Sequence, residues 1–401
     1  MSLPGLDQSV SPGGLKESPG GQQRYVSIDL MRGIVMVFMV LDHTRDFLGS
    51  SSFDPRNVSD LFLFLTRWVT HFCAPVFMFL AGASAWFALQ KYDRRWDATR
   101  YLFLRGIWLI VLELTVVRFA WTFQFAGDFI ILQVLWVLGL GMIFLSLLVH
   151  LPPTLVGVIG SVIILTHNLV DPIQAANLRP LSWLWSLLHE PHLFQLDSGR
   201  QVWALYPLIP WFGVMAFGFG FAPNLVPQAR SSGFFYAWAT SLIGLFVLLR
   251  FTGLYGDPHL WQPQSTFLAS LLSFVNCEKY PPSLQFLLMT LGPVLAVYPL
   301  LSSIRGKAAM VLLTFGKVPL FFYVLQILLI HGVAVLVEVL NRHSTSWLFG
   351  DFPLLKKPVG HGMPLAHIYL FWLVILFVLY ISCRTYGSVK LSNRRWWTRL
   401  L

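Results

Sequence analysis

Ten stretches of this chain are each apolar over about the length that a bilayer demands of a helix, roughly 20 residues. They run over 26–46, 60–90, 101–122, 128–149, 153–170, 203–222, 233–251, 283–303, 314–340 and 364–384. Hydrocarbon offers no partner to a backbone N–H or C=O, so such segments must satisfy those groups internally, as helices do. The pattern predicts an all-α, polytopic integral membrane bundle of about ten transmembrane helices. Two further stretches, 181–196 and 264–275, are apolar but short and suit interfacial or re-entrant helices, which widens the range to about nine to eleven. Hydrophobic residues make up 56% of the chain and charged residues only 11%, against about 25% charged in soluble domains. A multi-pass protein of the cell (inner, cytoplasmic) membrane is expected, with membrane lipids as its surroundings.

The net charge of +10 is spread over loops between the spans. No basic stripe accompanies a nucleic-acid motif, so nucleic acid is excluded as a partner. The tightest basic cluster is Lys91, Arg94, Arg95 and Arg100, and a second lies at Arg384, Lys390, Arg394, Arg395 and Arg399. With ten spans, both fall on the cytoplasmic side if the N-terminus does, which gives an N-in, C-in orientation. Residues 1–23, rich in Gly, Pro, Ser and Gln, are expected to form a disordered tail. The membrane domain then covers 24–385, and 386–401 is a basic cytoplasmic tail. Cys73, Cys277 and Cys383 form no CxxC pair, and neither a disulfide framework nor a zinc site is expected. His189 and His192, in H-E-P-H, lack an identifiable third ligand, so no metal is assigned.

The chemistry concentrates between Arg24 and Ser84. A charged side chain at a helix centre costs roughly 2.5–3.5 kcal/mol on insertion scales, so those retained near the bilayer usually serve a function. In the first span, Asp29, Arg32, Met36, Val40 and His43 fall on one face, with Asp46 at its edge. Arg32 and His43 stand roughly 16 Å apart along the axis, so one helix carries a cation near one membrane face and an imidazole near the other. Asp29 can pair with Arg32 at the i, i+3 spacing. The bland alternative is an ion pair at the cytoplasmic end, with Asp42, Arg45 and Asp46 as ordinary interface residues.

In the second span Arg67 and His71 are i, i+4 neighbours, and Pro75 is expected to kink the helix. Packed antiparallel to the first span, this segment would bring His71 and Arg67 to the depth of His43 and Asp42. Imidazoles titrate near neutrality and suit general-base or nucleophilic work, although a membrane histidine can equally be a hydrogen-bonded packing residue. Arg105, Glu113, Arg118, Asp128 and Gln133 read more simply as buried structural pairs. Tyr206, Pro207, Pro210 and Trp211 suggest a broken sixth span. Asn276, Lys279, Tyr280, Pro281 and Pro282 suggest a rigid turn on the outer side, with a lid as the alternative. No P-loop, G-x-S-x-G or H-E-x-x-H occurs, which argues against ATP-driven and zincin chemistry.

The run R-Y-V-S-I-D-L-M-R-G-I-V-M-V-F-M-V-L-D-H (24–43), followed by A-P-V-F-M-F-L-A-G-A-S (74–84), resembles the catalytic domain of heparan-α-glucosaminide N-acetyltransferases, in the bacterial branch of that transmembrane acyltransferase group. Further similar stretches include Y-P-L-I-P-W-F-G-V (206–214), Y-G-D-P (255–258) and K-Y-P-P-S-L-Q-F-L-L-M-T-L-G-P (279–293). The resemblance implies acetyl transfer across the membrane, from cytosolic acetyl-CoA (acyl-CoA) to an amino or hydroxyl group of a glycan or lipid-linked envelope acceptor on the far side. It implies no bound cofactor, and a homodimer fits it. The catalytic histidine of the animal enzymes lies in a loop with no counterpart here, so His43 and His71 are chosen on position and chemistry. In this scheme His43, with Asp42 or Asp46, serves as base or acyl carrier. His71, Arg67, Arg32 and Asp29 position substrate or oxyanion, and Arg94, Arg95, Arg100, Arg305 and Lys307 bind the acyl-CoA phosphates. Two other classes use the same residue types: a transporter for a small anion or proton-coupled solute, and a non-catalytic partner of an envelope-synthesis complex.

Overall fold

The structure, a computed structural model, describes residues 26–392 apart from Ala126, Asp197, Asp351 and Phe352. The tail expected at 1–23 and residues 393–401 lie outside the described part, and 386–392 continue the last helix. The helices are α1 (Val26–Leu48), α2 (Leu61–Thr70), α3 (Cys73–Leu89), α4 (Arg95–Leu112), α5 (Arg118–Thr122), α6 (Val134–Leu148), α7 (Pro153–Thr166) and α8 (Ser182–Leu188). They continue as α9 (Leu208–Phe221), α10 (Ser232–Thr252), α11 (Phe267–Phe274), α12 (Leu284–Leu301), α13 (Gly306–Gly316), α14 (Pro319–Leu340) and α15 (Leu365–Ser392). The protein is thus an all-α membrane bundle, and among the described residues seven helical segments are long and apolar enough to cross a bilayer. The 23-residue α1 is also long enough, but it carries Asp29, Arg32, Asp42, Arg45 and Asp46.

Three departures from the expected spans have physical causes. The second span breaks at His71–Phe72, between α2 and α3. Pro75 accounts for it: a proline ring clashes with the carbonyl four residues earlier, and that residue is His71. The third span changes pitch in a π-helical turn, Glu113–Val117, because the Glu113 carboxylate reaches across to accept the N–H groups of Leu135 (3.0 Å) and Trp136 (3.3 Å). An anion at the open N-terminus of α6 satisfies orphan donors and complements the helix dipole. Finally, 314–316 belong to the short α13, and α14 begins at Pro319, which suits a first helical position.

Two expected spans also begin as strands. Phe129–Leu132 (β1) pairs in parallel with Gln201–Ala204 (β3), which pairs antiparallel with Leu193–Gln195 (β2). Residues 203 and 204 therefore precede the sixth span, and that helix starts after Pro207. The small sheet lies over the end of the bundle where α1 terminates.

The helices pack closely through small residues, as expected where lipid gives no hydrophobic drive to association. On α3 and α9 the contact is reciprocal: a side chain at Gly82 would run into the Met215 carbonyl, and one at Gly218 into the Phe79 carbonyl. Apolar side chains such as Leu248 and Phe251 of α10, and Leu370, Leu373 and Phe377 of α15, stay exposed, as lipid-facing surfaces do. Gly82→Leu is expected to force α3 and α9 apart at a cost of at least about 1–3 kcal/mol. Folded yield in detergent should fall sharply, while Gly244→Leu, at a position open to space, should leave yield near wild type.

Candidate functional site

α1 forms one wall of two cavities. The larger, of about 540 Å³, is lined by Asp42, His43 and Asp46 of α1 together with Trp121, Gln133, Tyr206 and Tyr280. The smaller, of about 250 Å³, is lined by Arg32 and Met39 of α1 with Ser84, Arg105, Val134 and Tyr323. Met39 and His43 are one helical turn apart, roughly 6 Å along the axis. Gln133 and Val134 are consecutive, yet one faces each cavity. The two chambers therefore border the same two segments, α1 and the junction of β1 and α6, where Glu113 caps the helix.

At the His43 end, the buried Arg45 binds both neighbouring carboxylates, Asp42 at 2.6 Å and Asp46 at 2.8 Å. Thr70 donates a further hydrogen bond to Asp42 at 2.9 Å, so α2 is tied to the end of α1. The structure thus places Asp42 and Asp46 on Arg45. His43 is held by packing: its ring meets the edge of Trp121 at 5.1 Å. Among the described residues its Nδ1 is buried without a hydrogen-bond partner.

His71 lies nearby but lines neither cavity. It is 1% exposed, its ring packs on Phe286 at 5.3 Å, and neither ring nitrogen has a partner among the described residues. Arg67 donates to the Asn276 side chain at 3.2 Å and so fastens α2 to the turn before α12. Arg32 pairs with Asp29 at 3.1 Å and also reaches the Ser84 hydroxyl. The α1 face thus continues from the polar chamber into the apolar one.

Several lining residues escaped sequence reasoning. Tyr280 and Glu278 enter from the turn after α11, and Tyr206 from the segment before α9. The two phenol oxygens are 3.3 Å apart. The ammonium of Lys279, itself buried, lies 5.0 Å from the centre of the Tyr280 ring. This turn is tied down by hydrogen bonds from two sides. Arg250, at the end of α10, donates to the carbonyls of Phe274, Ser273, Asn276 and His259 at 2.7–3.0 Å. Asp257 accepts the Glu278 N–H and the Ser283 hydroxyl. Burial pushes the Tyr280 hydroxyl well above the ordinary tyrosine range, so it stays a hydrogen-bond donor at any physiological pH. The K-Y-P-P and Y-G-D-P runs were the only sequence signals for this element.

At the other end, Arg105 joins Arg32 in lining the smaller chamber, although sequence reasoning set it among structural polar residues. Arg94, Arg95, Arg100, Arg305 and Lys307 are all exposed. Arg95 also donates to the carbonyls of Val149 and His150 at 2.8 and 2.9 Å. Arg100 immediately precedes Tyr101, which lines the smaller chamber.

The C-terminal end of α1 is secured by Lys357, whose ammonium donates to the carbonyls of Asp46 (2.6 Å) and Gly49 (3.0 Å). Burial pushes this amine down to about 8, against the ordinary lysine value of 10.5. Between those values the unfolded chain holds a proton that the folded one has released, so this group's contribution to stability rises with pH across that window. Amine-directed labelling of the folded protein should show Lys357 reaching half-maximal reactivity near pH 8. Half-maximal reactivity of Lys357 at or above the ordinary lysine value would refute the assignment.

The family model for heparan-alpha-glucosaminide N-acetyltransferase, catalytic, matches residues 24–253. No curated protein matches the chain. The matched region supplies α1 to α10, and with them Arg32 and Arg105 of the smaller chamber and Asp42, His43, Asp46, Trp121, Gln133 and Tyr206 of the larger. With more than half of its length covered by that match, this chain belongs to the heparan-alpha-glucosaminide N-acetyltransferase catalytic family, a family of transmembrane acetyltransferases.

Proposed function

We propose that the protein transfers an acetyl (acyl) group from cytosolic acyl-CoA to an amino or hydroxyl group of a glycan or lipid-linked acceptor on the opposite side of the membrane. The observation that supports this most is the pair of chambers on one face of α1, whose lining residues Met39 and His43 stand one helical turn apart. The larger falls within the volume range of ligand sites. The smaller is narrow, mostly apolar and flanked by cations, which suits a pantetheine arm with its phosphates held outside.

In this scheme the N-in orientation puts Arg32 near the cytoplasm and His43 near the far leaflet. Arg94, Arg95 and Arg100, with Arg305 and Lys307, bind the phosphates by charge-assisted hydrogen bonds. Arg32 and Arg105 line the path of the arm. His43 removes the proton from the acceptor as its nitrogen or oxygen attacks the thioester carbonyl. The Tyr280 and Tyr206 hydroxyls stabilise the developing oxyanion. The carbon–sulfur bond then breaks, the carbon–nitrogen or carbon–oxygen bond remains, and the leaving thiolate takes up the proton from His43. Asp42 and Asp46, held by Arg45, keep the field around the imidazole negative. His71, Arg67 and Asp29 position these parts.

The decisive experiment incubates purified protein with acyl-labelled CoA, with and without a panel of amino-sugar and polyol acceptors. Acceptor-dependent release of CoA, with label in the acceptor, is the expected result. Double charge reversal, Arg94→Glu with Arg95→Glu, should weaken acyl-CoA binding by about tenfold or more, since each lost charge-assisted bond is worth about 1.5–3 kcal/mol. CoA release that never depends on the protein would sink the proposal, and unchanged affinity in the double variant would remove the phosphate site.

A further inference from the structure

Outside both chambers, Glu338, His343 and His361 meet at one point. The Glu338 carboxylate oxygen Oε2 lies 3.0 Å from His343 Nδ1 and 2.9 Å from His361 Nδ1. The three ligand atoms all fall within 4.8 Å of one another. None of these residues lines either cavity. We propose that they form a binding site for a divalent transition metal of the zinc class, which staples the end of α14 to the loop before α15.

Glu338 is 5% exposed and sits in the last turn of α14, where the helix dipole disfavours an anion. Its ion-pair partners among the described residues are two imidazoles; the Lys357 ammonium interacts with it electrostatically, but donates its hydrogen bonds to the Asp46 and Gly49 carbonyls. A dication would compensate both the carboxylate and the dipole.

Arg342 adopts a left-handed conformation with φ of 57°, and the following N–H, that of His343, turns back to the Glu338 carbonyl at 2.9 Å. This fixes two ligands on one tight turn. The third is fixed from a distant segment: the His361 carbonyl accepts the Ser51 N–H at 2.9 Å, and the Met363 N–H donates to Leu48 at 2.8 Å.

Two imidazole nitrogens and a carboxylate oxygen are a recognised zinc ligand set, with metal–ligand distances of about 2.0–2.2 Å. Neighbouring ligands around such a tetrahedral ion stand about 3.4 Å apart. The two Glu338–imidazole spacings need open by only a few tenths of an ångström, and the two imidazole nitrogens lie within 4.8 Å of each other. The His343 side chain is 41% exposed, so solvent can reach the fourth position. The stapled loop carries Lys357 and Met363, both bonded to the end of α1, so the metal would brace the rim of the His43 chamber without entering it.

The test uses the full-length protein in detergent, stripped with a chelator and then titrated with zinc sulfate by calorimetry, with thermal unfolding followed in parallel. Cobalt chloride serves as a spectroscopic probe, because tetrahedral Co²⁺ absorbs visibly. One saturable equivalent of zinc, a zinc-dependent rise in unfolding temperature and a tetrahedral cobalt spectrum are expected. His343→Ala, at a half-exposed position and therefore able to fold, should lose all three, as should Glu338→Gln. The proposal is overturned if wild type shows no saturable equivalent, or if His343→Ala binds zinc as wild type does. A hydrogen-bonded triad alone would show the same drop in unfolding temperature with and without zinc.

Discussion

His43→Ala is expected to lower acyl-transfer turnover by about 10²–10⁴-fold, the usual worth of a positioned general base, and to leave the bundle folded. His43 is only partly buried and lines a cavity of about 540 Å³, so truncation enlarges an existing space and opens no new void. The loss should appear in kcat with little change in the affinity for acyl-CoA, whose arm approaches from the other chamber. His71→Ala is the informative partner. His71 sits in the closed core against Phe286, and its loss should act on unfolding temperature before it acts on rate. Equal loss of rate in the two variants, with equal stability, would contradict this division of labour. Full activity in His43→Ala would remove the base altogether.

Arg45→Met should be the most destabilising single change near the site. Arg45 is 8% exposed and binds Asp42 and Asp46 at once. Removing one member of a buried ion cluster leaves uncompensated charge and costs about 3–5 kcal/mol. Here two like charges, one helical turn apart, would also face each other. Arg45→Lys should recover part of the loss, since it restores the charge but not the planar fork that reaches both carboxylates. Thermal unfolding of the purified variants gives the order. If Arg45→Met unfolds at the wild-type temperature, the carboxylates carry no charge in the bundle and the electrostatic account of this end of α1 falls.

The contrast between these two residues also marks where sequence reasoning stopped. Asp42, His43 and Asp46 were legible because one helix carries them, and the helical period is enough to place them on or beside one face. Their hydrogen-bond partners were not legible. Asp42 is adjacent to His43 in sequence, yet its oxygen is taken by Arg45 three residues on and by Thr70 from another helix. Tyr206, Tyr280, Trp121 and Gln133 reach the chamber from four separate segments, and no local pattern announces such convergence. The strand F-I-I-L at 129–132 was hidden in an apolar run that a helix could equally use. Pro75 announced a kink, but the break falls one turn earlier, where the ring meets the carbonyl. For the metal-ligand cluster, reasoning weighed the adjacent pair in H-E-P-H, and His189 turns out to bind Asp171 at 2.7 Å. Glu338 and His361 stand 23 positions apart, and with His343 they share no motif.

α1 carries both chambers along one flank. In the proposed scheme, a tilt or slide of this helix that widens the space beside Arg32 also displaces His43, and a ligand lodged beside His43 bears on the neighbouring compartment through the same lever. The donor and acceptor compartments then share one moving part.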